Sequence, residues 1–372
     1  NECGYEAIMI PGSLKAYAEA VTDYGTFDWK DIIQPAIDHA EDGFVIRPHV
    51  DEFWSAANVM GRMSAADKLR EFPASRQIYC DADGNTYPVG VRVKNPDMKL
   101  TLERIRDGGA EIFYSGDLAE EIVADMDAHG GLISLDDLKN YKTVHTEPIW
   151  SEYRGHKVSC GHPPGGGVMM LEMLNILEHF DLGSMTHNSA DYIAIVAEAM
   201  KYATIDKDNK MGDPAFDDVP IEDFISRHHA AECAKRIKNG EKADVIRFGD
   251  PEEAKDTTHV TVVDEDGNCV SMTHSLGMPS GVVSQGMGFM YNGCMGAFDP
   301  RPDMPHSIGP GKRRFTAMCP TIVFKGEDPY IAVGAPGGTF ITMGVLQAIL
   351  NAIDFDMTML EAVAAPRFTA NS

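Results

Sequence analysis

The chain has 372 residues, 44% of them hydrophobic, enough to bury one large core or two. Acidic residues number 57 against 32 basic ones, and the net charge of −25 disfavours nucleic acid and anionic membrane as partners. No run of about 18 apolar residues occurs, so no membrane-spanning helix is expected.

The acids are dispersed along the chain, as on a solvated or salt-adapted surface. Seven cysteines (Cys3, Cys80, Cys160, Cys233, Cys269, Cys294 and Cys319) are widely spaced and include no Cys-x-x-Cys. Neither a disulfide framework nor a zinc site is expected from that spacing, and a reducing compartment fits best, cytoplasmic before periplasmic. The start, Asn1 to Glu6, lacks the basic and apolar regions of a signal peptide, although a removed leader would leave the same start.

In chain order, Ile8-Met9-Ile10 predicts a short strand turning into a helix near Ser13 to Tyr24. Trp29 to Glu41 carries apolar residues at Ile32, Ile33, Ala36, Ile37 and Ala40, a helical stripe stopped by Gly43. Asn95-Pro96-Asp97 precedes a helix with Leu100, Leu102 and Ile105. A further helix after Gly116 presents Leu118, Ile122, Val123 and Met126 and ends at Gly130-Gly131. Leu135 to Leu138 is a short capped turn, and Glu147 to Val158 reads as a strand.

Pro163-Pro164-Gly165-Gly166-Gly167 opens a helix from Val168 to His179 that is rich in Met and Leu. It lacks the Gly-Lys-Ser/Thr ending of a phosphate loop and reads as a tight turn into the helix. Ala197 to Ala203 continues a helical pattern, and Glu232 to Glu253 has the polar composition of an exposed, mobile segment. Thr258 to Val263 and Cys269 to Ser275, around a turn at Asp264 to Asn268, predict a β-hairpin. Gly277 to Pro302 is dense in Gly, Met and Pro and reads as loops. Pro310 to Arg314 is a basic turn, Thr321 to Phe324 pairs with Tyr330 to Val333, and Gly334-Ala335-Pro336-Gly337-Gly338-Thr339 leads into a helix from Phe340 to Ile353.

Lys255-Asp256-Thr257-Thr258-His259, followed by strand, turn and the return Thr273-His274-Ser275, resembles the start of the small subunit in the gamma-glutamyltransferase family, a branch of the N-terminal nucleophile hydrolases. The resemblance extends from Gly4 to Phe368, and its most specific motifs are Thr257 to His259, Pro336 to Gly338 and Ala365 to Phe368. It implies an αββα sandwich, two stacked antiparallel sheets between helical layers, in one domain over residues 1–372. Self-cleavage between Asp256 and Thr257 would give a large subunit, 1–256, and a small subunit, 257–372. Both ends look short of a typical member, and the segment before this start would carry the family arginine that contacts the substrate carboxylate.

The chemistry gives an independent reason to want a chain-terminal threonine. A Thr hydroxyl is a weak nucleophile until a base takes its proton, and a freed α-amine, with a pKa of roughly 7.7–8.0, serves at neutral pH. The resemblance assigns Thr257 as nucleophile, Ser275 as the second hydroxyl bonded to it, and Gly337 and Gly338 as the oxyanion hole. Adjacent glycines at a helix start suit that task because backbone N–H groups there point outward. No metal or organic cofactor is required.

Substrate positions depart from the family pattern. A substrate-binding Asn is replaced by Gly277, and the Asn-Gln-x-Asp-Asp stretch that grips the glutamyl α-amine corresponds to Asn292-Gly293-Cys294-Met295-Gly296-Ala297. The Ser-Ser pair on the α-carboxylate becomes Thr316-Ala317, with Arg313 close enough in sequence to help hold a carboxylate. Losing one partner of a buried ion pair costs on the order of 3–5 kcal/mol. The expected activity is therefore cleavage of a small amide outside the γ-glutamyl class, with a true gamma-glutamyltransferase and an unprocessed, inactive scaffold as alternatives. Expected partners are the two subunits of one precursor and a small-molecule amide, with assembly of several copies left open.

Overall fold

A computed structural model of the chain describes residues 2–56, 63–246 and 256–370. It is a mixed helix-and-sheet fold in two compact units, Asn1–His145 with Leu276–Ala297 and Thr146–Ser275 with Phe298–Ser372. The first unit opens with a 3-10 turn (Tyr5–Ala7), then α1 (Ser13–Tyr24) and α2 (Trp29–Asp42), both where the sequence predicts helices. Ile8 to Ile10 is extended but unpaired as a strand, because the Asn292 side chain takes the N–H and C=O of Met9. The two-stranded pair β1 (Phe44–Val45) and β2 (Arg92–Val93) encloses α3 (Pro48–Ser55), α4 (Ala65–Glu71) and α5 (Pro73–Tyr79) in sequence.

Next, α6 (Pro96–Gly108) starts with Pro at its first position, where the missing N–H is harmless, and with the Asn95 side chain accepting from Met98 N–H. It packs on α2, where Trp29 Nε1 donates to the Ile105 carbonyl at 3.0 Å. Then come α7 (Glu111–Ser115), α8 (Asp117–His129) and α9 (Leu135–Asn140), the last opened by a capping box between Ser134 and Asp137. Leu118, Ile122 and Met126 of α8 are fully buried with Tyr114 and Leu138.

In the second unit, the expected single strand Glu147 to Val158 is a hairpin, β3 (Ile149–Tyr153) and β4 (His156–Cys160). Its two-residue turn, Arg154 and Gly155, has φ of 49° and 76°, and the guanidinium of Arg154 is tied to Asp354 at 3.0 Å. The following helix, α10 (Gly167–Leu177), is buried at every residue and touches β3, β4 and four later helices, so it is the axis of this unit. Its fully buried Leu and Met side chains each stabilise the fold by roughly 1.5–3 kcal/mol relative to exposure.

Three more helices follow, α11 (Ala190–Lys210), α12 (Ile221–Phe224) and α13 (Arg227–Lys238). The segment Glu232 to Glu253 is thus helical in its first part. The Ser226 side chain caps α13, and Ala230, Cys233 and Ala234 pack its inner face onto α10. Residues 247–253 of that segment lie outside the described residues.

The hairpin β5 (Asp256–Val263) and β6 (Cys269–Gly277) forms as expected. The stretch read as loops over Gly277 to Pro302 instead contains a pair, β7 (Pro279–Val283) and β8 (Met290–Asn292), that belongs to the first unit's core. Every residue of β7 is buried, Val282 beside Tyr291 among the α8 side chains and Val283 with Ile46 and Leu69, which outweighs the weak local strand signal. Last come β9 (Thr321–Lys325), β10 (Asp328–Val333), α14 (Phe340–Asp354) and α15 (Met359–Ala364). The second unit's four-stranded antiparallel sheet has the order β10-β9-β4-β3.

Candidate active site

The turn of the β5–β6 hairpin sets which residues face each other. Asp264 N–H donates to the Asn268 carbonyl at 3.1 Å, and the Asp264 carboxylate accepts from Asn268 N–H and the Asn268 side chain. Stepping seven residues outward along each strand brings Thr257 opposite Ser275, whose hydroxyls lie 3.0 Å apart. The same count places His259 opposite Thr273 and Thr261 opposite Ser271. Strand alternation puts all six on one polar face.

His259 stands in the middle of that face. Its Nδ1 lies 2.8 Å from Thr273 Oγ1 and its Nε2 lies 3.0 Å from Thr261 Oγ1. Burial pulls its pKa below the ordinary histidine value, so the ring is neutral at pH 7. Its edge packs against Gly334, just after β10, where a Cβ would sit 2.3 Å from Nδ1. Neither His259 as a spacer nor Gly334 was singled out from the sequence; a His two residues along the strand from Thr257 was the available signal.

Gly337 and Gly338 follow three residues later with φ of 135° and 56°, backbone geometry that glycine adopts without strain. Their carbonyls accept from Phe340 N–H at 3.0 Å and Ile341 N–H at 3.2 Å as α14 begins. The turn therefore sits at the positive end of a 15-residue helix. Thr316 runs beside the Pro163–Gly167 turn: its N–H donates to the Pro164 carbonyl at 2.9 Å, and Gly166 N–H donates to the Met318 carbonyl at 2.9 Å. Thr342 Oγ1 on α14 donates to the Ala317 carbonyl at 2.8 Å, fixing this strand to the helix.

The remaining sequence-predicted residues are occupied otherwise. Arg313 Nη2 and Nε donate to the buried Asp213 carboxylate at 2.6 and 3.1 Å, and neighbouring Lys312 pairs with Asp217 at 2.8 Å. The pairing of Arg313 was invisible in sequence because its partner lies 100 residues away. Asn292, in the first unit, uses its whole amide on backbone: Oδ1 accepts from Met9 and Cys294 N–H groups and Nδ2 donates to the Met9 carbonyl at 2.8 Å. Gly277 ends β6 at φ 75°. Asp299, the acid nearest in sequence to the missing carboxylates, is paired with Arg301 at 2.6 Å. The Asp256 side chain lies outside the described residues, although its backbone belongs to β5.

Two other features of the second unit were not singled out from the sequence. A cavity of about 740 Å³ opens between Trp150, Asn175, Arg227 and Phe324, and none of the residues above lines it. Glu172, inside the apolar run of α10, is completely buried beside Asp206, His229 and Cys233. A lone acid among Met and Leu was the signal there.

Comparison with known proteins places these observations in a family. The chain is 34% identical to the glutathione hydrolase proenzyme of Escherichia coli K12 over 96% of its length, covering 63% of that protein. It is 37% identical to the acylase ACY 1 proenzyme of Pseudomonas sp. V22 over 99% of its length, covering 65% of that protein. It thus spans less than two thirds of either curated relative. The crystal structure of cephalosporin acylase from Bacillus halodurans superposes over 99% of the chain and 67% of its own, with a TM-score of 0.86 at 30% identity. With a match to the gamma-glutamyltranspeptidase family over residues 1–372, the chain belongs to that family.

Proposed function

We propose that this protein is a self-processing amidohydrolase whose nucleophile is Thr257. The observation that carries the reading is the 3.0 Å contact between Thr257 Oγ1 and Ser275 Oγ, on the strand that begins at the expected cleavage site. In the precursor, Thr257 Oγ attacks the Asp256 carbonyl carbon, the Asp256–Thr257 C–N bond breaks, and the hydroxyl proton passes to the departing nitrogen. Water then hydrolyses the resulting ester, leaving the Asp256 carboxylate on a 1–256 subunit and a free α-amine on a 257–372 subunit.

The mature Thr257 amine takes the hydroxyl proton as Oγ attacks a substrate amide and returns it to the leaving amine. N–H groups of Gly337 and Gly338 stabilise the oxyanion, and water releases the acyl group from the acyl-enzyme. The two subunits would complete one αββα domain, with β5–β6 as a part of one central sheet.

Substrate choice follows from charge. A γ-glutamyl group carries an α-ammonium that needs a carboxylate, and Gly293 to Ala297 supplies none, while Asp299 already has Arg301. The family contains proteins named as glutathione hydrolase and as acylase, and this chain's residues favour the acylase side. The substrate class is an acyl amide without an α-ammonium.

Denaturing intact mass of freshly purified protein tests the nucleophile. The parent is expected to give two fragments meeting at Asp256/Thr257, and Thr257→Ala a single chain; an uncut parent after long incubation withdraws the assignment. Matched anilides then test the acyl group. Glutaryl anilide, which is γ-glutamyl anilide without its amine, should be turned over faster, and robust preference for the γ-glutamyl compound would reverse the substrate reading.

A further inference from the structure

α10 is buried at all its positions, yet its centre holds Glu172, 0% exposed. Glu172 Oε1 lies 3.1 Å from His229 Nε2 on α13, and its Oε2 has no hydrogen-bond partner. Asp206 Oδ2, on α11, lies 3.0 Å from the same nitrogen, and Cys233 Sγ, one turn along α13 from His229, lies 3.7 Å from it. Donor atoms of Glu172, Asp206 and His229 all fall within 4.8 Å of one another.

We propose that Glu172, Asp206 and His229 form a binding site for a zinc-class divalent cation that clasps α10, α11 and α13 together. Three features carry this. A fully buried carboxylate oxygen without a donor is costly, and a cation supplies what no hydrogen bond does. The spacing is also right. Zinc bonds of roughly 2.0–2.1 Å to N and O, arranged tetrahedrally, separate ligand atoms by roughly 3.3–3.4 Å. The observed 3.0 and 3.1 Å from His229 Nε2 to the two carboxylates need only a few tenths of an ångström of adjustment. The Cys233 thiol, 3.7 Å from that nitrogen, falls outside the group whose donor atoms all lie within 4.8 Å and is a neighbour of the ion rather than a ligand. Finally, the donors select the ion: an imidazole with two carboxylates and an open fourth position suits zinc, whereas calcium and magnesium take oxygen sets.

Partial exposure of His229 and Asp206 gives the ion a path from solvent. The alternative occupant is a proton, with a cationic His229 donating toward both carboxylates and Glu172 protonated. None of the three residues belongs to the Thr257 site, so the proposal stands or falls apart from the catalytic reading.

Cobalt(II), a spectroscopic substitute for zinc, tests the site in tag-free, chelator-treated full-length protein. The expected result is one equivalent bound per chain, with visible bands of four- or five-coordinate cobalt and no thiolate-to-cobalt charge-transfer band, displaced by zinc. Cys233→Ser should keep the parent's affinity. His229→Ala should lower affinity by at least roughly a hundredfold, beyond the ten- to hundredfold cost of losing an outer-sphere partner. Should His229→Ala not fold, Glu172→Gln, which keeps the buried shape, is expected to show the same loss. The parent's melting temperature should rise with zinc concentration and that of Glu172→Gln should not. Absence of binding at micromolar cobalt and zinc, or the appearance of a thiolate-to-cobalt charge-transfer band, overturns the proposal in favour of a shared proton or of ions on thiols.

Discussion

Replacing Ser275 by Ala removes the hydroxyl 3.0 Å from that of Thr257, the proposed nucleophile, while β6 pairs through its backbone. A neutral hydrogen bond between partly buried groups is worth about 0.5–1.5 kcal/mol. If it only orients Thr257 in the ground state, self-cleavage should slow by about 2- to 13-fold. Should it strengthen as Oγ gains negative charge, the charge-assisted value of about 1.5–3 kcal/mol predicts roughly 10- to 150-fold. The assay is the time course of fragment appearance by denaturing mass spectrometry, repeated for turnover of the matured enzyme. Ser275→Thr keeps a hydroxyl on a β-branched strand residue and should recover most of the rate. Parent-like cleavage and turnover in Ser275→Ala would show that the short contact has no catalytic consequence, and the geometric basis of the site would fail.

Arg313→Ala leaves the buried Asp213 carboxylate without its main partner; the intact-pair figure of about 3–5 kcal/mol falls to about 2–3 because the guanidinium is 39% exposed, and urea unfolding should show it. An unchanged KM on an acidic substrate in that variant would remove Arg313 from substrate binding. Burial alone would raise the Asp213 pKa, but the Arg313 side chain and the N–H groups of Arg313 and Ala215 outweigh it and hold the carboxyl below its ordinary value. Its stabilising contribution is therefore complete above about pH 4 and is lost as pH falls through the lower folded value, so the parent's urea midpoint should drop between pH 4 and 2 more than that of Asp213→Asn. Gly334→Ala drives a methyl to 2.3 Å from the His259 ring and should cost about 1–3 kcal/mol and slow cleavage, whereas Gly344→Ala, with open space around its Cβ inside α14, should leave stability unchanged or raised by up to about 1 kcal/mol; equal melting temperatures for the two would refute the close contact.

Legibility in the sequence tracked how locally each element is determined. The β5–β6 hairpin could be read because a turn of five residues and a β-branched strand settle its register without distant help. Helices α2, α6 and α8 carried stripes of large apolar residues, but α13 buries Ala230, Cys233 and Ala234, too small to register against its charges. The β3–β4 turn is Arg154-Gly155, without the Asn or Asp that usually announces such a turn, and Arg154 is held by contacts with Asp354 and with the Glu178 carbonyl. β7 and β8 are made by burial in a distant core, and the partners of Arg313 and Glu172 lie on other elements. Thr257, Ser275 and the Pro-Gly-Gly turn were legible because each belongs to a short motif; the side chains that space them were not.

The histidine of the Thr-Thr-His triplet argues for where the base must come from. His259 lies on the same strand face as Thr257, two residues away, and a histidine so placed is the first group one would nominate to deprotonate the hydroxyl. Both its nitrogens are already engaged, by Thr273 and Thr261, and its ring is wedged against Gly334. Turning it toward Thr257 would break two hydrogen bonds, about 1–3 kcal/mol, and empty the notch that Gly334 provides. A one-residue slip of β5 would swap this polar face for Val260 and Val262, so the same contacts also lock the register that sets Thr257 against Ser275. His259 is therefore a spacer between the hairpin and the turn that leads to Gly337, and in the proposed mechanism the proton acceptor of turnover is the amine that cleavage would create. A His259→Gln variant, which keeps polar contacts but cannot act as a base near neutral pH, should accordingly retain most of the turnover rate once matured, and a loss beyond about a hundredfold with an unchanged melting temperature would return the imidazole to the chemistry.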